Sequence, residues 1–480
     1  MDITDLPAWV LSEKIHNRSF SVTEVMQSYL TRIDKLNPRY NAIVSRLDTS
    51  YLLEESRICD DELSKGNSRG WMHGFPIAVK DMSLTAGVTT TLGSPLMRNF
   101  VPTQDSLMVG RLKGSGAIII GKTNTPEFGL GSHTFNEIFG ATCNAFNPLL
   151  SAGGSSGGAA VGLALRMLPV ADGSDFMGSL RNPAGWNNLF GMRPSQGRVP
   201  SYPVTDVWIS QLSTEGPMAR NVRDLASLLD IQSGPDSRCP LALDRPSTRF
   251  SKNLDVGLQG RRIGWLADLD EYLPLEDGIL KACEAGLQRI SSLGCKVESA
   301  SLGSDPEQVW ATWLTWRKVL TASKISPYML KEENHPHIKP EALWEFKQAQ
   351  GLSANEFASA SVERSRFYQN TLKLFDTFDV LALPSAQVWP FPIDWRWPKY
   401  INTKNGSVEM DTYHRWMEVV IYASLAGLPS ISVPTGFNSK GLPMGLQLIG
   451  KPQGDLELLQ LAYGYEKVIS DWLSVVPENS

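Results

Sequence analysis

Two glycine- and serine-rich segments, residues 151–158 and 173–181, contain the residue types that nucleophilic chemistry requires. The first runs directly into the apolar stretch 159–165, whereas flexible linkers are usually flanked by polar sequence; a linker or a packing turn remains the alternative. The second follows the short apolar run 168–171. A serine on a turn after a strand, flanked by glycine, is how a nucleophile is often displayed beside backbone donors. The two segments therefore favour a serine nucleophile on a glycine-shaped turn.

A serine nucleophile needs a general base, and the best candidate is a lysine. The chain has six histidines, but none stands in a Ser/His/Asp elbow pattern. Lys80 ends the apolar run 75–79, so its side chain is placed where a strand leaves the core. Burial lowers the pKa of a lysine and makes the neutral amine available near neutral pH. Lys80 is therefore the candidate base.

Three motifs carry a family resemblance: GFPIAVKDM at 74–82, GGSSGG at 153–158 and GSDFMGSLRNPA at 173–184. They resemble the core motifs of the amidase signature family of serine hydrolases, and their spacing from Lys80 to Ser155 and on to Ser179 agrees with that family. Residues 300–420 are the least family-like stretch. Further similar segments lie at 121–129, 190–200, 216–226, 425–437 and 441–452.

The resemblance implies a role for each member of a Ser–cis-Ser–Lys arrangement. Ser179 matches the nucleophile, Ser155 the bridging serine whose preceding peptide bond is cis in the family, and Lys80 the base. The lysine would take the proton of the nucleophile through the bridging serine and return it to the leaving amine. The resemblance also implies backbone N–H donors for an oxyanion at Phe176, Met177, Gly178 and Ser179, and a bracing set of Ser156, Ser174, Asp175 and Arg181.

Two residues depart from the family pattern. Met177 replaces the first glycine of the pair that usually precedes the nucleophile, and a positive φ there would be strained. Met82 replaces a common asparagine. Neither change removes a member of the catalytic arrangement, so we expect an altered pocket rather than a loss of activity.

Strand-like and helix-like patterns alternate along the chain, which predicts an α/β fold. We expect a mixed, mostly parallel central sheet sandwiched by helices, as in the amidase signature fold, in a single large domain with a helical variable insertion. The first helix is marked by a capping box, Ser21 to Glu24. The predicted organisation is an N-terminal helical segment (1–65), a core with the three motifs (66–235), a second part of the core (236–304), a variable, substrate-determining cap (305–420) and a C-terminal part of the core (421–480).

The composition of the 480-residue chain excludes several function classes. The hydrophobic fraction is 42%, the charged fraction 20% and the formal net charge −5, so no basic field indicates nucleic acid binding. The five cysteines are odd in number and form no CxxC pair, which argues against a disulfide framework or a zinc knuckle. We also expect no metal and no cofactor. An acidic N-terminus and the lack of a long apolar run predict a cytoplasmic protein without membrane spans. Residues 116–123 fit the P-loop pattern, but their isoleucines favour a buried strand.

Two clusters of tryptophans bear on the substrate. Trp310, Trp313 and Trp316 recur along one helical face, which suits either a buried stripe or an aromatic wall of a pocket. The proline-rich loop 389–398 suits the rim of an acyl or aryl pocket. Arg415 is a candidate for the same cavity, with core packing as the alternative. The predicted pocket residues are Trp316, Trp389, Trp395, Arg415 and Trp416.

These features predict an amidohydrolase that cleaves a small linear amide, such as an anilide, an acyl amide or a carbamate. The expected partner is the small-molecule substrate alone, with the chain a monomer or homodimer. A glutaminase subunit of a tRNA amidotransferase is the alternative within the same resemblance; it would require a partner subunit, and Met177 and the tryptophan-rich region speak against it. A non-catalytic binding relative is a third alternative, disfavoured by the intact Lys80, Ser155 and Ser179.

Overall fold

The computed structural model describes residues 2–478, and its helices lie where the sequence has amphipathic or capped segments. The capping box predicted at Ser21 is formed, because its hydroxyl accepts the Glu24 N–H while the Glu24 carboxylate accepts the Ser21 N–H. The helices are α1 (Ala8–His16), α2 (Val22–Tyr40), α3 (Thr49–Ser64), α4 (Leu107–Gly114), α5 (Gly157–Ala164), α6 (Arg181–Gly185), α7 (Val222–Gln232), α8 (Ile279–Ser292), α9 (Pro306–Met329), α10 (Pro340–Ala349), α11 (Ala354–Leu374), α12 (Ile421–Ala426), α13 (Asp455–Val468) and α14 (Ser470–Leu473).

The strands form one large sheet and three small ones in the described chain. Across the large sheet the order is β10-β9-β11-β15-β14-β7-β8-β6, and a three-stranded sheet has the order β1-β3-β2. The strands are β1 (Ile43–Val44), β2 (Pro76–Lys80), β3 (Ile118–Thr123), β4 (Phe135–Asn136), β5 (Gly140–Ala141), β6 (Ala171–Asp175), β7 (Phe190–Arg193), β8 (Thr214–Ala219), β9 (Arg262–Trp265), β10 (Lys296–Ser299), β11 (Val380–Pro384), β12 (Tyr400–Thr403), β13 (Gly406–Glu409), β14 (Ser430–Phe437) and β15 (Pro443–Gly450).

The large sheet is mixed, as predicted, but most of its neighbouring strands are antiparallel. Only β9 pairs in parallel, with β10 and with β11, while the other five pairings within residues 2–478 are antiparallel. The expectation of a mostly parallel sheet is therefore corrected. For one of these pairs the reason is a short connection: β14 and β15 are joined by residues 438–442, too few for the crossover that a parallel pair needs. The other four antiparallel pairs join strands that are farther apart in the chain, so their direction depends on tertiary pairing.

The three-stranded sheet positions the candidate base, Lys80. Strand β2 runs parallel to β3 and is buried along its whole length, so Lys80 at its end is carried into the interior. The P-loop pattern at 116–123 contains β3, whose residues are all buried. Lys122 donates from Nζ to the Ser83 carbonyl oxygen and, at 2.7 Å, to Thr85 Oγ1. The Lys122 amine is therefore bound to oxygen atoms of the protein itself. This supports a buried strand at 116–123 rather than a phosphate-binding loop.

Helices α10 and α11 both pack on α9 within the predicted cap segment. Trp310, Trp313 and Trp316 of α9 are all buried, as a core stripe requires. The cap segment is not purely an insertion, because β11 lies within it and pairs with β9 and β15 of the large sheet. Among residues 2–478, no helix is long and apolar enough to cross a bilayer.

Candidate active site

The Lys80 amine lies in a cage of hydroxyl groups. Its Nζ donates to the Oγ atoms of Ser155, Ser156 and Ser174 at 2.8, 2.9 and 3.0 Å. No carboxylate forms an ion pair with Lys80 in the described residues. An amine held by neutral oxygens can lose its proton without breaking an ion pair, which suits it to accept a proton from a hydroxyl.

Burial sets the protonation of this lysine. Lys80 is 1% exposed, and desolvation, followed by the nearby Lys324 ammonium, lowers its pKa to about 7. Asp172 acts in the opposite direction and accepts the Lys80 backbone N–H at 3.2 Å through both oxygens. Burial raises the pKa of Asp172 itself to about 6. The neutral amine is therefore abundant near neutral pH.

Ser155 is presented by a turn that enters α5. The peptide bond between Gly154 and Ser155 is cis, as the resemblance implied. The turn is fixed from outside, because Ser132 Oγ donates to Gly154 O at 2.7 Å and Thr125 Oγ1 donates to Ser155 O at 2.9 Å. Gly158 allows the turn to approach β3, since a Cβ there would stand 2.3 Å from a backbone nitrogen. The glycine-rich segment is a packed turn, not a linker.

Ser179 is held on its turn by the carboxylate of Asp175. The N–H groups on either side of it, from Gly178 and Leu180, donate to that carboxylate at 2.9 and 3.2 Å. The Ser179 residue is 8% exposed, and its hydroxyl makes no hydrogen bond within the described chain. The backbone around Ser179 therefore fixes the position of this residue, and its hydroxyl remains free to react with a substrate.

The Asp175 contact corrects the predicted oxyanion donors. The Gly178 N–H is already engaged by Asp175, so it drops out of the predicted set. The N–H groups of Phe176, Met177 and Ser179 have no acceptor within residues 2–478 and keep their donor capacity. The positive φ of the turn, +78°, belongs to Gly178, and Met177 is not among the residues with positive φ. The methionine is therefore accommodated without the strain that the sequence suggested.

Asp175 also organises a buried charge cluster that sequence reasoning identified only in part. Its carboxylate accepts from Arg181 Nε at 3.0 Å and from Arg181 Nη2 at 2.9 Å. Arg193 donates to the Asp175 carbonyl and lies 3.5 Å from its carboxylate. Burial alone would raise the pKa of Asp175, but the two guanidinium groups hold it well below its ordinary value. Arg193 was missed, although it stands in the similar segment at 190–200.

The predicted substrate-pocket residues lie in several different surroundings. Trp395 is exposed, and the Trp389 indole donates to Asp277 O at 3.0 Å. Arg415 is engaged by Glu307 and Glu418. None of the predicted pocket residues forms a hydrogen bond or ion pair with the hydroxyl cage in the part of the chain described.

Trp316 and Trp416 lie in other surroundings. Trp316 lines a separate cleft of about 630 Å³, where the Arg364 guanidinium lies 4.5 Å from its ring centre. Trp416 stacks on Trp186 and lines a cavity of about 10 Å³, which is close to the size of one water molecule and too small for a substrate. The spacing of tryptophans along a loop or helix does not show which part of the fold each indole ring will contact.

One group of side chains within residues 2–478 could in principle hold a metal ion: Cys59, Glu62 and His73, with ligand atoms within 4.8 Å of one another. The His73 and Glu62 ligand atoms are already engaged. The His73 ring contacts Cys59 O at 3.0 Å and the Arg69 N–H at 3.1 Å, while Glu62 binds the Arg69 guanidinium at 2.6 and 2.7 Å. These contacts favour a structural role for the group.

Comparison with known proteins agrees with this geometry. The family model described as Amidase matches residues 24–459. The chain is 30% identical to a subunit of the glutamyl-tRNA(Gln) amidotransferase of Alkaliphilus metalliredigens, covering 97% of each chain. It is 29% identical to an acylamidase of Rhodococcus erythropolis, covering 99% of this chain and 98% of the relative. A solved bacterial aryl acylamidase of the amidase signature family superposes with a TM-score of 0.90 at 27% identity, covering 98% of this chain and 97% of that one.

Proposed function

Because the chain belongs to the amidase signature family, whose enzymes hydrolyse C–N bonds in amides, we propose that it cleaves small linear amides through an acyl-enzyme on Ser179. The observation that carries this proposal is the Lys80 amine, with its pKa lowered to about 7 and its hydrogen bond of 2.8 Å to Ser155. An amine of that pKa is matched to proton transfer near neutral pH. The substrate class proposed is an anilide, an acyl amide or a carbamate.

The proposed reaction moves one proton along Ser179, Ser155 and Lys80. Neutral Lys80 accepts the Ser155 proton while Ser155 accepts the proton of Ser179, whose oxygen attacks the substrate carbonyl. The N–H groups of Phe176, Met177 and Ser179 stabilise the resulting oxyanion, an effect of about 3 to 4 kcal/mol per donor in comparable sites. The Lys80 ammonium then returns the proton through Ser155 to the leaving nitrogen. Water, deprotonated along the same path, releases the acyl group and regenerates Ser179.

Aromatic side chains beside the nucleophile turn support an apolar or aryl substrate. The Phe176 ring lies 5.3 Å from that of Trp313, and the Arg317 guanidinium lies 5.4 Å from the same phenyl ring. The likeness to an acylamidase and an aryl acylamidase adds to this support. The second candidate is a glutaminase subunit of a tRNA amidotransferase, favoured by the 30% identity to a protein of that kind. That function would require a second polypeptide.

A panel of substrates separates these two candidates. We expect the purified chain alone to hydrolyse acetanilide, hexanamide or methyl N-phenylcarbamate and to leave L-glutamine intact, because an aromatic turn favours an apolar substrate. Released aniline or ammonia is measured for each compound, with the Ser179→Ala variant as the matched control for background hydrolysis. Turnover of glutamine without turnover of the other three would overturn the proposal in favour of the glutaminase.

The pH dependence of the reaction reports on Lys80. We expect kcat/KM for acetanilide to rise with pH along an acid limb of apparent pKa about 7 and then to level off. The sign follows from the chemistry: below that pKa Lys80 is protonated and cannot accept a proton, so activity is lost as the pH falls. A rate that is constant between pH 6 and 8, or an acid limb near pH 4.5, would show that another group is the base.

A further inference from the structure

A second lysine, Lys324 of α9, lies beside the hydroxyl cage. Its Nζ donates to Phe128 O at 3.3 Å. Phe128 precedes Gly129, and a Cβ at Gly129 would stand 3.6 Å from Ser155 Oγ. The Lys324 charge also lowers the pKa of Lys80, as a nearby ammonium group does. These contacts place Lys324 at the edge of the space in front of Ser155.

One face of α9 extends along this space. Trp313, Arg317 and Lys324 are separated by four and seven residues, so they share a helical face. Trp313 packs on Phe176, and Arg317 Nη1 lies 3.8 Å from the Met177 sulfur. The rise of a helix puts Lys324 roughly 10 Å beyond Arg317 along the axis. The face therefore runs from the oxyanion turn to a cation some distance from the scissile bond.

The charge of Arg317 is satisfied by the protein, and that of Lys324 is not. Arg317 pairs with Glu345 at 2.6 Å and donates to Tyr413 Oη at 2.6 Å. Lys324 has the Phe128 carbonyl as its one acceptor in the described residues, with no ion pair there. Lys324 is an exposed residue, although the protein atoms around it desolvate the ammonium and lower its pKa to about 8. An exposed ammonium beside the hydroxyl cage, with no counter-charge from the described residues, is available to an anionic ligand.

We propose that Lys324 is a specificity-determining residue that binds a carboxylate carried by the substrate, at a distance from the scissile amide. This inference rests on the proposed function and narrows the substrate class to linear amides with an acidic end. A carboxylate accepts a charge-assisted hydrogen bond from the ammonium and neutralises it. The protein carries no acidic side chain that already takes this place in the described structure.

Two pairs of anilides test the subsite. The first places the acid on the acyl part (glutaranilic acid against 5-oxohexananilide) and the second on the amine part (4-acetamidobenzoate against 4-acetamidoacetophenone); each methyl ketone is a neutral analogue of its acid. We expect wild-type kcat/KM, measured by released arylamine, to favour the acid at least tenfold in one pair. The Lys324→Gln variant should reduce that ratio to within about twofold. Any effect of Lys324 on Lys80 is common to both members of a pair and cancels in the ratio.

The control is Lys318→Gln, which removes another lysine of α9, one that faces Glu356 and has no contact with the cage. It should keep the wild-type acid preference. The proposal is overturned if the wild type prefers the acid in neither pair, or if Lys324→Gln slows the acid and the ketone equally.

Binding to the Ser179→Ala variant separates failure of the subsite from failure of the proposed function. Calorimetric titration of this variant with the four compounds should show the preferred acid at least tenfold tighter than its ketone. The preference should disappear in the Ser179→Ala/Lys324→Gln double variant. If no anilide is hydrolysed but the acid still binds through Lys324, the hydrolysis proposal fails and the carboxylate subsite stands. Equal binding of acid and ketone overturns the subsite.

Discussion

Replacing Lys80 by methionine is expected to lower kcat/KM for an anilide by about 10²- to 10⁴-fold, the range that a positioned general base contributes. Methionine has nearly the length of lysine and fills the same buried space, but it has no nitrogen to accept the proton from Ser155. The three serine hydroxyls that surround the amine then lose the N–H donor from which they accept. Initial rates on acetanilide, compared with the wild type at pH 8, measure the loss.

The same variant is expected to keep or increase its free energy of unfolding. In the folded chain the pKa of Lys80 lies below its value in the unfolded chain, so burying the lysine costs stability. That cost is fully present below pH 7 and disappears as the pH rises through the unfolded value of 10.5. Removing the amine removes the cost. Urea unfolding at pH 6.5 checks this sign.

Lys122→Met is the matched control, since Lys122 is also fully buried and its pKa is lowered to about 8 by desolvation. Its amine contacts Ser83 and Thr85 rather than the cage. We expect the folded Lys122→Met protein to keep activity within about tenfold of the wild type. A Lys80→Met enzyme as active as this control would show that Lys80 is not the base.

The second large effect is expected from Asp175→Asn, which should lower the free energy of unfolding by about 3 to 5 kcal/mol. The carboxylate is the counter-charge for Arg181 and Arg193, and all three side chains are fully buried. Asparagine keeps the shape but leaves two guanidinium groups in the interior without an anion. It also replaces one of the oxygens that accept the N–H groups of Gly178 and Leu180, so the turn that presents Ser179 loosens and activity falls with stability.

Urea unfolding of the wild type and the variant measures this effect. Asp34→Asn is the control, because it breaks the pair with Arg46, in which the aspartate is 63% exposed. Such a surface pair contributes below about 1 kcal/mol. An Asp175→Asn protein as stable as the Asp34→Asn control would mean that the buried cluster does not hold the nucleophile turn.

The sequence predicted best those parts of the site whose position depends on a few neighbouring residues. Lys80 follows a run of buried strand residues, and Ser155 lies in a glycine-rich turn whose small residues allow close packing. Local composition favoured a serine turn and a lysine at a strand end, and the resemblance to the amidase signature family supplied the serines of the cage. The commitment of the Gly178 N–H to Asp175 could not be anticipated, because it depends on how the turn folds back on its own carboxylate.

The parts that the sequence did not predict depend on contacts between distant segments. Lys324 meets Phe128, 196 residues away along the chain, and stands in the stretch with least resemblance to known motifs. Trp395 and Trp316 have the same residue type, but one is exposed and the other lines a separate cleft. Strand direction likewise depends on which strands pair across the sheet, and periodicity within a single strand does not show this.

The most direct test of the account is covalent labelling of the nucleophile. A small alkyl fluorophosphonate reacts with an activated serine, and the tryptic peptide 167–181 contains both Ser174 and Ser179, so fragment spectra are needed to locate the adduct. We expect one adduct per chain, on Ser179, with no labelling of the folded Ser179→Ala variant and much slower labelling of Lys80→Met. An adduct on Ser174 or on any other serine, or equal labelling of Ser179→Ala, would contradict the assignment of Ser179 as the nucleophile.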